Sequence, residues 1–266
     1  IYKLQNGPRS YIERIEIYGN QRTYDYVIRG ELRVAEGDPL NQTYINQSIR
    51  NLQNLTYFSN VSISTKQGSA PDKRIVVVDV VEQPTGSLLL GAGYSSTHGI
   101  VGSLSVTERN LLGKGHYLSF ATNISGTKNL MSISYTDPSF RDSEVSFGFD
   151  IFGNETNNSA SSFKDSKVGA GIRFGLPLRD NLRLHTRYNY TKREIYDVKD
   201  TASTAVKQLD GKRDISEFGY SLNLNTLDSN IAPSDGLKLS FSQDLAGVGG
   251  DASYLRSDLS SIYYQE

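Results

Sequence analysis

His98, His116 and His185 are the only imidazoles in this chain, and imidazole is the side chain most often used to hold a metal or move a proton near neutral pH. Their positions suit neither task. They fall in an expected loop, an expected turn and an expected strand, with no metal-ligand spacing between them. Gly93-Tyr94-Ser95-Ser96-Thr97 looks at first like a nucleophile elbow, but the closing glycine is missing and no helix follows, so the strained strand-to-helix turn that exposes the serine cannot form. Gly91-Ala92-Gly93 fails as a dinucleotide loop for the same reason: neither the third glycine nor the helix is present. Asp228, Asn230 and Asp235-Gly236 cluster without a calcium-loop pattern and read as a polar turn. The sequon Asn123-Ile124-Ser125 sits inside an expected strand, which argues against glycosylation. No catalytic residue, metal ligand or cofactor site is expected.

Composition narrows the class. The 266 residues carry a formal charge of −1, so no global basic field points to nucleic acid. The absence of Cys removes disulfides, thiolate nucleophiles and Cys-ligated zinc together. Twenty-four Gly and seventeen Tyr with no Trp suit a β-rich chain. A mean hydropathy of −0.44 would ordinarily indicate a soluble protein. A membrane barrel defeats that average, because half of each strand faces a wet lumen. No apolar run is long enough for a transmembrane helix, and Ile1-Tyr2-Lys3 has no signal-peptide architecture.

The elements that position these residues are of two kinds. Over 11–82, a strand marked by Ile12, Ile15 and Ile17 ends at Gly19-Asn20. Helical patterns follow at about Tyr24–Arg33 and Gln42–Leu55, separated by Glu36-Gly37-Asp38-Pro39. Asn41 is the expected N-cap of the second helix, whose face is Tyr44, Ile45, Ile49, Leu52 and Leu55. A strand through Val61 and Ile63 and another over Arg74–Glu82 complete a β-α-α-β-β module. Glu82-Gln83-Pro84-Thr85-Gly86 marks a boundary, giving domains 1–84 and 85–266.

Beyond that boundary the apolar residues alternate. Val145, Phe147, Phe149 and Ile151 oppose Glu144, Ser146, Gly148 and Asp150; Leu182, Leu184, Tyr188 and Tyr190 oppose Arg183, His185, Arg187 and Asn189. Strands are expected near 87–94, 99–108, 116–125, 130–137, 144–153, 163–176, 181–193, 214–226, 236–245 and 254–264. Long polar connections are expected at Asn154–Ser162 and Asp197–Lys212, alternating with short turns. Glycines and charges on one parity, and strands of about ten residues, favour an antiparallel transmembrane β-barrel over a soluble sandwich.

One stretch carries a family resemblance. Thr107-Glu108-Arg109-Asn110-Leu111-Leu112-Gly113-Lys114-Gly115-His116-Tyr117-Leu118 resembles the BamA-type outer-membrane β-barrel assembly insertases. So do Thr85-Gly86-Ser87, Gly91-Ala92-Gly93-Tyr94, Tyr135-Thr136-Asp137-Pro138-Ser139-Phe140 and Asp235-Gly236. The module over 1–84 resembles a POTRA domain. The resemblance implies an α+β POTRA module followed by about ten strands of a larger barrel. It also implies a bacterial outer-membrane location, with residues 1–84 in the periplasm.

The implied function is insertion of β-barrel proteins by strand templating at a lateral gate, without covalent chemistry or cofactor. The gate strand would be Ser87, Leu88, Leu89, Leu90, Gly91, Ala92, Gly93 and Tyr94. A POTRA edge strand of Val61, Ser62, Ile63, Ser64 and Thr65 would accept extended segments. Glu82, Gln83, Pro84, Thr85 and Gly86 would form the hinge. Implied partners are unfolded outer-membrane proteins, periplasmic or lipoprotein accessory subunits, and outer-membrane lipid. Open strand edges and an end inside a strand at Tyr263-Tyr264-Gln265-Glu266 lead us to expect a fragment of a longer chain. Competing readings are a related POTRA-barrel secretion transporter or autotransporter assembly factor, a soluble β-rich binding module, and a membrane-embedded hydrolase. The last would need a Ser/His/acid constellation that these three histidines do not supply.

Overall fold

A computed structural model describes residues 9–158, 163–228 and 233–265. The chain divides into two compact units, Ile1–Ser87 with Glu108–His116, and Leu88–Thr107 with Tyr117–Glu266.

The first unit begins with strand β1 (Tyr11–Tyr18), helices α1 (Asp25–Gly30) and α2 (Gln42–Asn54), and strands β2 (Phe58–Gln67) and β3 (Lys73–Glu82). The sheet order is β1-β3-β2, with β1 parallel and β2 antiparallel to β3. Central β3 is the most apolar strand, and Val76, Val77 and Val78 are all buried. Both helices cover the sheet, so Ile28, Ile45 and Leu52 close one core with Ile12, Val76 and Val78. Gly19 ends β1 at φ +89°, where an added Cβ would strike the Val80 carbonyl.

Two helical expectations need correction. α1 stops at Gly30, short of Arg33, because the Arg33 N–H donates to Ser48 Oγ at 2.8 Å and leads the chain away from the helix. On α2, Tyr44 turns to solvent, and Ser48 occupies the buried stripe with Ile45 and Leu52. Ser48 tolerates burial because its hydroxyl also donates to the Tyr44 carbonyl at 2.8 Å. Asn41 caps α2 as expected, its Oδ1 accepting from Thr43 N–H at 2.9 Å.

Ten further strands form one sheet: β4 (Gly86–Ser95), β5 (Gly99–Leu111), β6 (His116–Ser125), β7 (Lys128–Asp137), β8 (Ser146–Asn158), β9 (Phe163–Arg179), β10 (Leu182–Tyr196), β11 (Gly211–Asn225), β12 (Gly236–Ala246) and β13 (Tyr254–Tyr264). Each lies beside its sequence neighbour, from β4 at one edge to β13 at the other. The registers of consecutive pairs from β6 to β13 are antiparallel.

The expected strands are found, but two loops differ. Strand β8 runs to Asn158 and β9 resumes at Phe163, so most of the expected loop Asn154–Ser162 is ladder; residues 159–162 lie outside the described residues. The stretch Asp197–Lys212 contains a short helix, α3 (Thr204–Lys207), and β11 already begins at Gly211. Polar residues extend these strands because loop-proximal ladders in water need no apolar face.

Candidate functional site

Parity along the strands becomes two faces when the register is followed across the sheet. Tyr135, Phe149, Ile172, Tyr188, Phe218, Leu245 and Leu255 are successive cross-strand partners from β7 to β13. Most of this row stays exposed, with Phe218 at 51% and Leu255 at 63%. An apolar face of this extent suits hydrocarbon rather than water. No helix among the described residues is long and apolar enough to cross a membrane, and strands are the elements that present the apolar surface.

One residue along, the partners are Thr136, Gly148, Arg173, Arg187, Gly219, Asp244 and Arg256. Asp244 is fully buried between two guanidinium groups, pairing with Arg187 and, at 2.5 Å, with Arg256 Nη2. Arg173 pairs with Asp150 and donates to the Tyr135 carbonyl at 3.2 Å. The glycines of this row are where the arginines lie. A Cβ at Gly148 would sit 2.7 Å from Arg173 Nε, and one at Gly219 would sit 2.8 Å from Arg187 Nε. Glycine on the polar parity therefore makes room for long side chains lying flat across the sheet. Arg173, Arg187 and Asp150, together with His185 and Asn189, line a concavity of about 620 Å³.

The residues expected to accept added strands lie on sheet edges, β4 in the large sheet and β2 in the small one. From Leu88 to Tyr94 every residue of β4 is exposed, and Leu90 and Tyr94 reach 76% and 81%. Ser87 is half-buried. Gly91 abuts Ser103 of β5, whereas a Cβ at Gly93 would meet nothing. In the first unit, β1 and β2 are the sheet edges, but β1 is covered. Ile12 N–H donates to the Asp38 carbonyl at 2.9 Å, Gly37 N–H to the Ile12 carbonyl at 2.8 Å, and Leu40 N–H to the Ser10 carbonyl at 2.8 Å. That leaves β2 as the edge available for pairing. Val61 is buried and Ile63 partly buried, while Ser62, Ser64 and Thr65 face solvent.

The segment expected as a hinge is tied down at several points. Glu82 accepts from Thr23 N–H at 2.7 Å and from Arg22 N–H at 3.0 Å. Gln83 N–H donates to the Tyr57 carbonyl, and its side-chain amide to the Thr56 carbonyl, both at 2.9 Å. Thr85 Oγ1 donates to Glu108 at 2.5 Å, and Arg109 N–H donates to the Thr85 carbonyl at 3.3 Å. Pro84 and Gly86 continue the chain into β4.

Burial opposes ionisation of Glu82, but the Thr23 and Arg22 N–H groups outweigh it and hold the carboxyl below its ordinary value of 4.5. A depressed folded-state pKa contributes stability above the unfolded value, and this is lost as pH falls through the folded value. Thermal unfolding of the first unit should therefore shift downward as pH drops below about 4.5, and less steeply in Glu82→Gln. Parallel pH profiles for the two proteins would show that Glu82 is not responsible.

The turn between β5 and β6 belongs to the first unit, which the sequence did not anticipate. Leu112, Gly113 and Gly115 take positive φ, and Asn110 is buried beside Thr23. Tyr57 donates its hydroxyl to the Gly115 carbonyl at 3.3 Å, and burial pushes that phenol up to about 12. The signal for this packing was the pair of glycines in Asn110-Leu111-Leu112-Gly113-Lys114-Gly115, one more than a simple turn needs.

The three histidines lie on separate features: His98 in the β4–β5 turn beside Thr127, His116 at the start of β6 rather than in a turn, and His185 on β10. Asp228 accepts from Ser234 N–H at 3.0 Å and Asp235 N–H at 3.2 Å, forming a polar turn; Asn230 lies outside the described residues.

Comparison with known proteins agrees with both units. Residues 10–83 match POTRA (surface antigen variable number repeat) and residues 110–266 match the Omp85 superfamily domain. The chain is 31% identical over 257 residues to the outer membrane protein assembly factor BamA of Nitratidesulfovibrio vulgaris, covering 96% of this chain and 32% of that one. It is 34% identical over 258 residues to the BamA of Neorickettsia risticii, covering 97% of this chain and 35% of that one. The chain thus spans about a third of the length of these relatives. The crystal structure of Haemophilus ducreyi BamA lacking POTRA domains 1–3 superposes with a TM-score of 0.74 at 25% identity, covering 94% of this chain and 51% of that one. A POTRA module followed by an antiparallel sheet with one apolar face, matched over more than half its length by that domain, places this chain in the Omp85 superfamily.

Proposed function

We propose that this chain takes part in assembling and inserting β-barrel proteins into the bacterial outer membrane, by templating incoming strands on β4. Residues 1–84 form the periplasmic module and 85–266 the N-terminal portion of the barrel. The observation that carries this reading is β4 itself: an edge strand whose residues Leu88–Tyr94 are all exposed, with Gly91 and Gly93 weakening its own packing. An incoming strand gains backbone hydrogen bonds there without any bond being made or broken covalently. The β2 edge, Val61–Thr65, offers a second place for an extended client segment before insertion. Unfolded outer-membrane proteins are the clients, accessory subunits bind the periplasmic module, and lipid surrounds the apolar face. Any hinge motion at Glu82–Gly86 must break the bonds of Glu82, Gln83 and Thr85 described above. The names of the BamA relatives, outer membrane protein assembly factors, support the same reading.

The native chain has no Cys, so single engineered cysteines report cleanly. Leu90→Cys should crosslink to a cysteine in the terminal strand of a stalled client, and Asn189→Cys should not. The reverse pattern, with the client caught at Asn189 and absent from Leu90, would favour passage through the lumen and hence a secretion transporter.

A further inference from the structure

The β5–β6 turn is packed more elaborately than a strand connection requires. Asn110 Nδ2 donates to Thr23 Oγ1 at 2.8 Å, while Asn110 Oδ1 accepts from Gly115 N–H at 2.7 Å. Both Asn110 and Thr23 are buried, at 8% and 3% exposure. Tyr24 N–H donates to the Gly113 carbonyl at 2.9 Å. The positive-φ glycines are needed twice over. At Gly113 (φ +75°) a Cβ would strike the Arg22 carbonyl and approach Thr23 Cα to 3.5 Å; at Gly115 (φ +72°) it would press on Val27 Cγ1 at 3.1 Å. The turn is therefore shaped to dock on the segment 22–27, not only to reverse the chain.

The same element holds the start of the gate strand. Glu108, two residues before Asn110, accepts from Thr85 Oγ1 at 2.5 Å and from Asn110 N–H at 2.9 Å. Arg109 N–H donates to the Thr85 carbonyl at 3.3 Å. Thr85 immediately precedes β4. The side chain of Asn110 thus locks the turn at the end of β5, and Glu108 and Arg109, in the last residues of that strand, hold the base of β4.

We propose that Asn110 and Thr23 are positioning residues for strand templating: they anchor the base of β4 so that its outer edge can pair with a client while its root stays zipped to β5. This rests on the templating reading above. Without the anchor, a client strand pulling on β4 would peel it from β5 as readily as it pairs, because each step exchanges one ladder bond for another.

The test uses Asn110→Ala, Thr23→Val and Thr23→Ser in the full-length parent protein, reconstituted in liposomes with its assembly partners. Amide hydrogen exchange of residues 85–91 and 108–111 is measured beside the rate of client assembly. Thr23→Val removes the hydroxyl's bonds to Asn110 and to Glu82 but leaves the turn's own Asn110–Gly115 bond, so it remains informative if Asn110→Ala fails to fold. We expect exchange at the base of β4 to rise about tenfold in both, as for loss of one buried hydrogen bond. Assembly should slow several-fold, roughly in step, and Thr23→Ser should restore both. Unchanged exchange in Thr23→Val, with client assembly by the wild type intact, overturns the anchor alone. Raised exchange with normal assembly also overturns it, reducing the contact to packing. A wild-type protein that assembles no client fails the templating reading itself, a result distinguishable because it appears before any substitution is made.

Discussion

Asp244→Ala should destabilise the sheet by about 3 kcal/mol, the low end for breaking a buried ion pair. Asp244 has no exposed surface and stands between Arg187 of β10 and Arg256 of β13, so its carboxylate ties together strands three apart in sheet order. Removing it leaves two guanidinium groups facing one another across the Gly219 gap. The low end applies because the Arg256 side chain is 58% exposed and can recover water, whereas Arg187, at 29%, recovers less. Asp244→Asn keeps a hydrogen-bond acceptor and should cost about 1–2 kcal/mol. Urea unfolding of the detergent-folded protein, followed by heat-modifiable gel mobility, gives the midpoints. An Asp244→Ala midpoint equal to wild type would show that the triad adds nothing to the sheet.

The second large effect belongs to the first unit. Leu52→Ala empties the centre of a core in which Leu52, Ile28 and Val76 have no exposed surface, and such a truncation costs about 2–5 kcal/mol. A module this small holds only about 5 kcal/mol in total. We therefore expect residues 10–83 of the variant to be cleaved by protease at concentrations that leave wild type intact. The ten-stranded sheet should keep its heat-modifiable mobility, since its apolar row and its arginine row share no residue with that core. Simultaneous loss of both units would contradict their separation, and unchanged protease resistance would contradict the position of Leu52 in the core.

The two units also differ in how much of them the sequence discloses. Alternation of Val145, Phe147, Phe149 and Ile151 against smaller or charged neighbours is a local property, and it located β8 because side chains on a strand must alternate. The Asn41 cap and the Ile45 and Leu52 stripe placed α2 for the same reason: each depends on residues within a turn or two. Helical spacing puts Tyr44 on the face and passes over Ser48, because it ranks residues by hydrophobicity. It cannot see that Arg33 N–H, fifteen residues away, gives the Ser48 hydroxyl a buried partner.

The amino-acid sequence by itself determined the element types, the two-faced strands and the glycine-rich β4, all set by dihedral preference and side-chain periodicity over a few residues. The tertiary structure alone decided that Arg173, Arg187, Asp244 and Arg256 fall in one row with Gly148 and Gly219, because register accumulates over six strands and a slip of one residue at any hairpin would scatter it. It alone decided, too, that β2 rather than β1 keeps a free edge, and that the turn at Asn110–Gly115 docks on Thr23. Those outcomes rest on pairings between segments some 25 to 90 residues apart, whose partners' directions no local pattern records.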